Sequence, residues 1–119
     1  MMTVEQIIGR DIPEGGTVYR VGDVVCITMP LEQVGIYEAH CAAAKHARGK
    51  IALDAMRQSL ADFWSDHPDA TELIAAPKRD NRAVRVTNSL LGFTLDGVFP
   101  VAWPDGQTRE TCLYRMKRP

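Results

Sequence analysis

The chain has 119 residues, 45% of them hydrophobic and 24% charged, with a net charge of -1. This is one folded domain, residues 1–119, with enough apolar material for a continuous core, and it excludes a disordered tail or a collagen-like repeat. The near-neutral balance argues against nucleic acid or a membrane surface as partner, because both select a clearly basic face.

The opening MMTVEQIIGRDIPEGG has early acidic residues and only a short apolar pair, Ile7 and Ile8. It is expected to be neither a secretory signal nor a membrane anchor. Residues 1–16 are a short first element ending in the Pro13-Glu14-Gly15-Gly16 turn. TVYRVGDVVCITM alternates apolar and polar residues around Gly22-Asp23, predicting an antiparallel hairpin over residues 17–29. VGIYEAHCAAA, residues 34–44, reads as a central buried strand. The basic loop Lys45-His46-Ala47-Arg48-Gly49-Lys50 follows.

Beyond the loop, Leu53, Met56, Leu60, Phe63 and Trp64 recur at three- and four-residue steps, the spacing of a helix with a core-facing stripe. Pro68 stops that helix, since it disfavours helical geometry in His67. TELIAAP, residues 71–77, is a short buried strand, and Asp80 is the expected N-cap of a second helix with Val84, Thr87, Leu90 and Leu91 on one side. Gly92 is its left-handed terminator, with Phe93 packing back over the last turn. FTLDGVFPVAW and RETCLYRM, separated by Pro104-Asp105-Gly106, form a closing hairpin. The order is hairpin, strand, helix, strand, helix, hairpin: an α/β (α+β) mixed sheet of six strands with two main helices.

Cys26, Cys41 and Cys112 are an odd, widely spaced set, read as buried reduced thiols in a cytoplasmic protein. The spacing carries no metal motif. Lys78, Arg79, Arg82, Arg85, Arg115, Lys117 and Arg118 read as solvated surface.

A strand feeding a glycine-containing basic loop that opens a helix is a device for binding phosphates, because the first helical amides lack internal partners and the helix dipole is positive there. Residues 44–52 have that form. His46-Ala47-Arg48-Gly49-Lys50-Ile51 resembles the (Gln/Arg)-x-x-Gly-x-(Gly/Ala) pyrophosphate loop of the GNAT superfamily of acetyl-coenzyme-A-dependent N-acetyltransferases; Arg48, Gly49 and Lys50 fit, while His46 and Ile51 depart. NRAVRVTNSLLGF, residues 81–93, resembles the family's Asn-x-x-Ala-x-x-Leu-Tyr-x-x-x-Gly-Phe, keeping Asn81, Gly92 and Phe93 but placing Asn88 where the tyrosine acid belongs. The resemblance covers residues 17–117. Family members usually carry a strand and two helices ahead of the hairpin, which residues 1–16 are expected to lack, leaving the acceptor side open, completed by another subunit, or lost.

The resemblance implies acetyl-coenzyme A as co-substrate, an unknown primary amine as acceptor, and a cofactor site of Ala43, Ala44, Lys45, His46, Arg48, Gly49, Lys50, Asn81 and Asn88. Glu38 and His40, two apart on the central strand, point to one face and either can accept a proton; Tyr37 and Tyr114 are other conceivable donors to the thiolate. The alternative is a catalytically silent GNAT-like assembly protein, a type known among tailed bacteriophages and associated with the virion. An uncovered sheet edge or apolar face predicts self-association as a homodimer.

Overall fold

The computed structural model describes all 119 residues, Met1–Pro119. In chain order they form α1 (Val4–Ile8), β1 (Thr17–Val21), β2 (Val24–Pro30), β3 (Ile36–Ala43), a 3-10 turn (Lys45–Ala47), α2 (Lys50–Asp66), β4 (Glu72–Ala75), α3 (Arg82–Leu91), β5 (Thr94–Ala102) and β6 (Thr108–Lys117). The six strands make one sheet in the order β1-β2-β3-β4-β6-β5. Only β3 and β4 run parallel; every other neighbouring pair is antiparallel. This is the mixed six-stranded sheet with two main helices that the sequence predicts.

The helical spacing of α2 sets the core. Ala52, Ala55, Met56, Leu60, Phe63 and Trp64 form its buried stripe. They close over Val24, Cys26, Ala39, Leu73, Cys112 and Tyr114 of the sheet. Full burial of a side chain such as Phe63 or Leu73 contributes about 1.5–3 kcal/mol, so this stripe alone commits α2 to the sheet. The helix ends where Arg118 turns back: its guanidinium donates to the carbonyls of Trp64, His67 and Ala70 at 2.9, 3.0 and 2.9 Å and lies against the Trp64 ring. A cation at a helix C-terminus satisfies orphan carbonyls and complements the dipole.

In β2, Val24 through Thr28 are all buried, so this strand is covered on both faces. Even-numbered residues face α2, and the odd-numbered Val25 and Ile27 lie under the first sixteen residues. There α1 packs on β2 and β3, closed by a capping box between Thr3 and Gln6. Gly16 lies so close to the sheet that an added Cβ would meet Ile27 and Met29 at 3.1 Å. Arg20 ties the segment down further by donating to the carbonyl of Met2 at 2.7 Å.

Two helix expectations are corrected. The N-cap of α3 is Asn81, whose side chain accepts from the Val84 amide, rather than Asp80. The stripe of α3 centres on Asn88, which is buried, while Leu90 is 57% exposed. Asn81, Val84, Asn88 and Leu91 repeat at helical spacing, which turns Leu90 outward. Gly92 adopts the expected left-handed conformation, φ 104°, and Phe93 is buried.

The outer strand β5 exposes Leu95, Val98, Phe99 and Val101. Trp103 donates to Gln107 O at the hairpin end, so by alternation Pro100, opposite Glu110, occupies a non-hydrogen-bonded position and turns its ring nitrogen to the free edge. A proline there removes a donor that an added strand needs.

The expectation of three reduced thiols is also corrected. Cys26 and Cys41 are directly opposed across β2 and β3, 4.1 Å apart at Cα, and are joined as a disulfide; Cys112 alone is free, and buried. The pair lies at a non-hydrogen-bonded position, where cross-strand side chains come closest. No helix is long and apolar enough to cross a membrane. Denatured without reductant, the chain should take up one alkylating group, at Cys112, and three after reduction. Opening a disulfide across a sequence separation of 15 should cost about 3 kcal/mol of stability, read as a lower midpoint in denaturant.

Candidate functional site

The site begins where two strands part. β3 and β4 pair only at Ile36–Glu72, Tyr37–Leu73 and Glu38–Ile74. β3 then stays with β2 as far as Ala43, whereas β4 stays with β6. The Ala44 amide donates to Asp23 O at 3.0 Å, which fixes the alternation: even-numbered residues of β3 turn their backbone groups toward β2, odd-numbered ones toward β4. Past the three-residue ladder, Cys41 and Ala43 therefore present N–H and C=O groups to an open wedge.

The loop at the wedge's open end is built from Ala44 to Gly49. Gly49 has φ 85°, a conformation that a side chain strains, and an added Cβ would meet nothing within 4 Å. As N-cap of α2 it supplies no side-chain oxygen, and the first turn holds no acidic residue. The first intrahelical bond from the helix body is Leu53 N to Gly49 O, so the amides of Lys50, Ile51 and Ala52 have no partner within the helix. Arg48 is exposed and makes no ion pair. Lys50 is exposed and pairs with Asp54 at 2.9 Å. Ile51, which departs from the family pattern, is 67% exposed and stands in solvent.

His46 turns away from this loop. Its Nε2 lies 2.8 Å from Asp23 Oδ2, and Asp23 also accepts from Arg20 at 2.8 Å. Burial works to raise the Asp23 pKa, but hydrogen bonds from His46 and Arg20 outweigh it and hold the carboxyl below its usual value. His46 is thus a tether between loop and hairpin turn, and the turn's Asp23 is a contributor the sequence reading did not identify. Of the other loop residues, Ala43 is half-buried, Ala44 buried and Lys45 exposed.

Glu38 and His40 do share one face of β3, opposite Met29 and Ile27 of β2, on the side away from α2. Glu38 is half-buried; His40 is exposed at its surface yet flanked by the N-terminal segment. Desolvation by those surroundings, and then the charge of Arg10, lower the His40 pKa. The imidazole is accordingly neutral at pH 7 and available to accept a proton.

Asn81 spends its side-chain oxygen on capping α3, at 3.4 Å from the Val84 amide. Asn88 is 7% exposed, and its Nδ2 has no hydrogen-bond partner. The two tyrosines are engaged elsewhere. Tyr37 donates to Asp69 at 2.8 Å and packs edge-on against Phe63 and His67. Tyr114, 3% exposed, accepts from Arg85 Nε at 3.2 Å.

No model of a known protein family matches the sequence, and neither does any curated protein. Solved structures do match in fold. An acetyltransferase (GNAT family) from Bacillus anthracis superposes with a TM-score of 0.67 at 14% identity, covering 79% of this chain and 57% of that one. The microcin C7 self-immunity acetyltransferase MccE, in complex with acetyl-CoA and AMP, gives 0.68 at 18% identity, covering 81% and 54%. yncA, a putative acetyltransferase from Salmonella typhimurium with its cofactor acetyl-CoA, gives 0.62 at 15% identity, covering 80% and 57%. The fold is therefore GNAT-like, and the chain spans somewhat over half the length of these neighbours.

The tether is testable through its charge. A depressed carboxyl contributes stability above its unfolded pKa, and that contribution is lost as pH falls through the folded value. Asp23→Asn should lower Tm at pH 7, with the gap to wild type narrowing once the pH drops below 3.8.

Proposed function

We propose that the protein is an acyltransferase of the N-acetyltransferase type, carrying an acetyl group from acetyl-coenzyme A to a primary amine. The observation that carries this reading is the wedge between β3 and β4 opening onto a helix N-terminus with no side-chain cap and no acidic first turn. In this reading the cofactor's pyrophosphate rests on the amides of Lys50, Ile51 and Ala52, with Arg48 and Lys50 as counter-charge and Gly49 giving room for close approach. The pantetheine arm follows the free backbone of Ala43 and Cys41 into the wedge, with Ala44, Lys45 and His46 forming the loop wall and Asn81 at the mouth.

The acceptor nitrogen attacks the thioester carbonyl carbon, the C–S bond breaks, and the nitrogen gives up a proton to Glu38 or His40, directly or through one water. Asn88 holds the position of the family's acid. A side-chain amide donates a hydrogen bond but no acidic proton, so the departing thiolate takes its proton from water. A reaction fed by coenzyme A thioesters places the protein in the cytoplasm, where the Cys26–Cys41 bridge would be exceptional.

A second reading, a catalytically silent assembly protein of the tailed-phage type found in the virion, is favoured by a specific observation: Asn88 replaces the acid while Tyr37 and Tyr114 both have other partners. In either reading the face of β5 that carries the exposed Phe99 and Val101 is the surface for a homodimer, because Pro100 interrupts the edge.

Calorimetric titration with acetyl-coenzyme A separates the two. The expected result is binding in the low micromolar range, weakened at least tenfold by Ile51→Glu. A negative charge in the first turn favours the helix dipole, so that variant should melt no lower than wild type while repelling a pyrophosphate. Gly49→Glu should have the same effect on binding, with some loss of stability from the positive φ. No binding by folded wild type would leave the assembly reading in place.

Turnover tests the base. Loss of a general base lowers kcat by roughly 100-fold or more, so His40→Gln or Glu38→Gln should do so, according to which holds the proton. If His40 is the base, the acidic limb of the pH–rate profile lies below the ordinary histidine pKa of 6.5, and Arg10→Gln moves it to higher pH.

A further inference from the structure

A second concave site lies on the far side of β4. The segment after β4 runs beside the start of β6: Lys78 bridges Thr111, the Arg79 amide donates to Glu110 O at 2.9 Å, and the Cys112 amide donates to Pro77 O at 2.9 Å. Between this segment, the first turns of α3 and β6 is a cleft of about 460 Å³ lined by Lys78, Arg79, Asp80, Arg85, Arg109 and Glu110. That volume lies in the range of small-molecule sites, yet no apolar residue lines the cleft. It is thus unsuited to an acyl chain or a pantetheine arm and suited to a charged group.

The charge there is unbalanced in one direction. Four cations face Asp80 and Glu110, with Asp105 beside Arg109, which leaves an excess of one positive charge in a chain whose net charge is -1. Arg79 is neutralised by Glu110 at 2.6 Å, and Arg109 by Asp105. Lys78 and Arg85 have no carboxylate partner. Lys78 is held over the Trp103 ring, 4.9 Å from its centre, and the indole is itself fixed by donating to Thr111 Oγ1 at 3.2 Å. Arg85 is braced by the Tyr114 hydroxyl at 3.2 Å and the Arg79 carbonyl at 3.1 Å. The Nε of Arg109 is buried and without a partner. Cations held in place by neutral contacts make a preorganised anion receptor, since guanidinium groups bind phosphate and carboxylate oxygens with directed hydrogen bonds.

We propose that this cleft anchors the anionic end of the acceptor, so that the substrate class is a small amine bearing a phosphate or carboxylate. The assignment to the acceptor rests on the acetyltransferase reading; the anion site itself does not. Both the loop of residues 44–50 and this cleft lie at the carboxyl ends of the parallel pair β3 and β4, on either side of β4, where open α/β sheets gather their ligands. In this assignment a molecule anchored in the cleft reaches the wedge across the segment that follows β4, from the side opposite the coenzyme.

The test uses inorganic phosphate as probe, titrated into the Ile51→Glu protein so that the helix N-terminus does not compete. Binding is expected in the millimolar range or tighter, weakening with added salt and about tenfold weaker in Lys78→Glu. Glu110→Gln, which removes a carboxylate from the cleft, should instead tighten it severalfold, an effect no misfolded variant produces. No binding, or an affinity that neither substitution changes, overturns the site. The source of the anion is read by comparing coenzyme A with dephospho-coenzyme A: if Lys78→Glu abolishes a preference for the former, the cleft serves the cofactor's ribose phosphate and the acceptor assignment falls. If phosphate binds while acetyl-coenzyme A does not, the anion site stands and the acetyltransferase reading fails.

Discussion

The arrangement of this molecule depends on how briefly β3 and β4 are paired. A parallel ladder of three positions joins the two halves of the sheet; beyond it β3 follows β2 and β4 follows β6. Sheet twist carries their carboxyl ends apart. Backbone groups that a regular sheet would satisfy are left open at Cys41 and Ala43, the loop before α2 lies at one margin of the gap, and the segment before α3 lies at the other.

The N-terminal segment and Arg118 keep that opening supported. Val25 and Ile27 would face water if residues 1–16 were not folded over them, and a strand buried on both faces resists distortion at the site. Arg118 holds the last turn of α2 to the start of β4 by three carbonyls. Arg115 spans Asp96 of β5 and Glu72 of β4, at 2.9 and 3.0 Å. These two basic residues look like surface charge in the sequence, but here they are structural fasteners between elements.

Most of the fold was legible because its signals are local. The stripe of α2, the Gly22-Asp23 turn, Gly92 after α3 and the closing hairpin each depend on residues within a few positions of one another. What was not legible depends on strand register and on tertiary approach. Nothing in the spacing of Cys26 and Cys41 reveals that they are opposed. Asp23 binds His46 only because the hairpin turn and the loop after β3 lie at the same end of the sheet. The cleft drew Lys78, Arg79 and Arg85 from one segment and Arg109 and Glu110 from another some 30 positions later, so the sequence presented only scattered basic residues. The choice of Asn81 over Asp80 as cap, and of Asn88 over Leu90 as the inward residue, turned on one and two residues of helix phase.

The opposed cysteines also bear on the alternation that puts Glu38 and His40 on one side of β3 and Cys41 on the other. A shift of one residue between β2 and β3 would exchange those sides, burying a carboxylate and an imidazole beneath α2 and exposing the apolar positions. The sulfur bridge forbids that slip. It acts as an indexing pin, setting which side chains of the central strand are presented for chemistry and which are hidden.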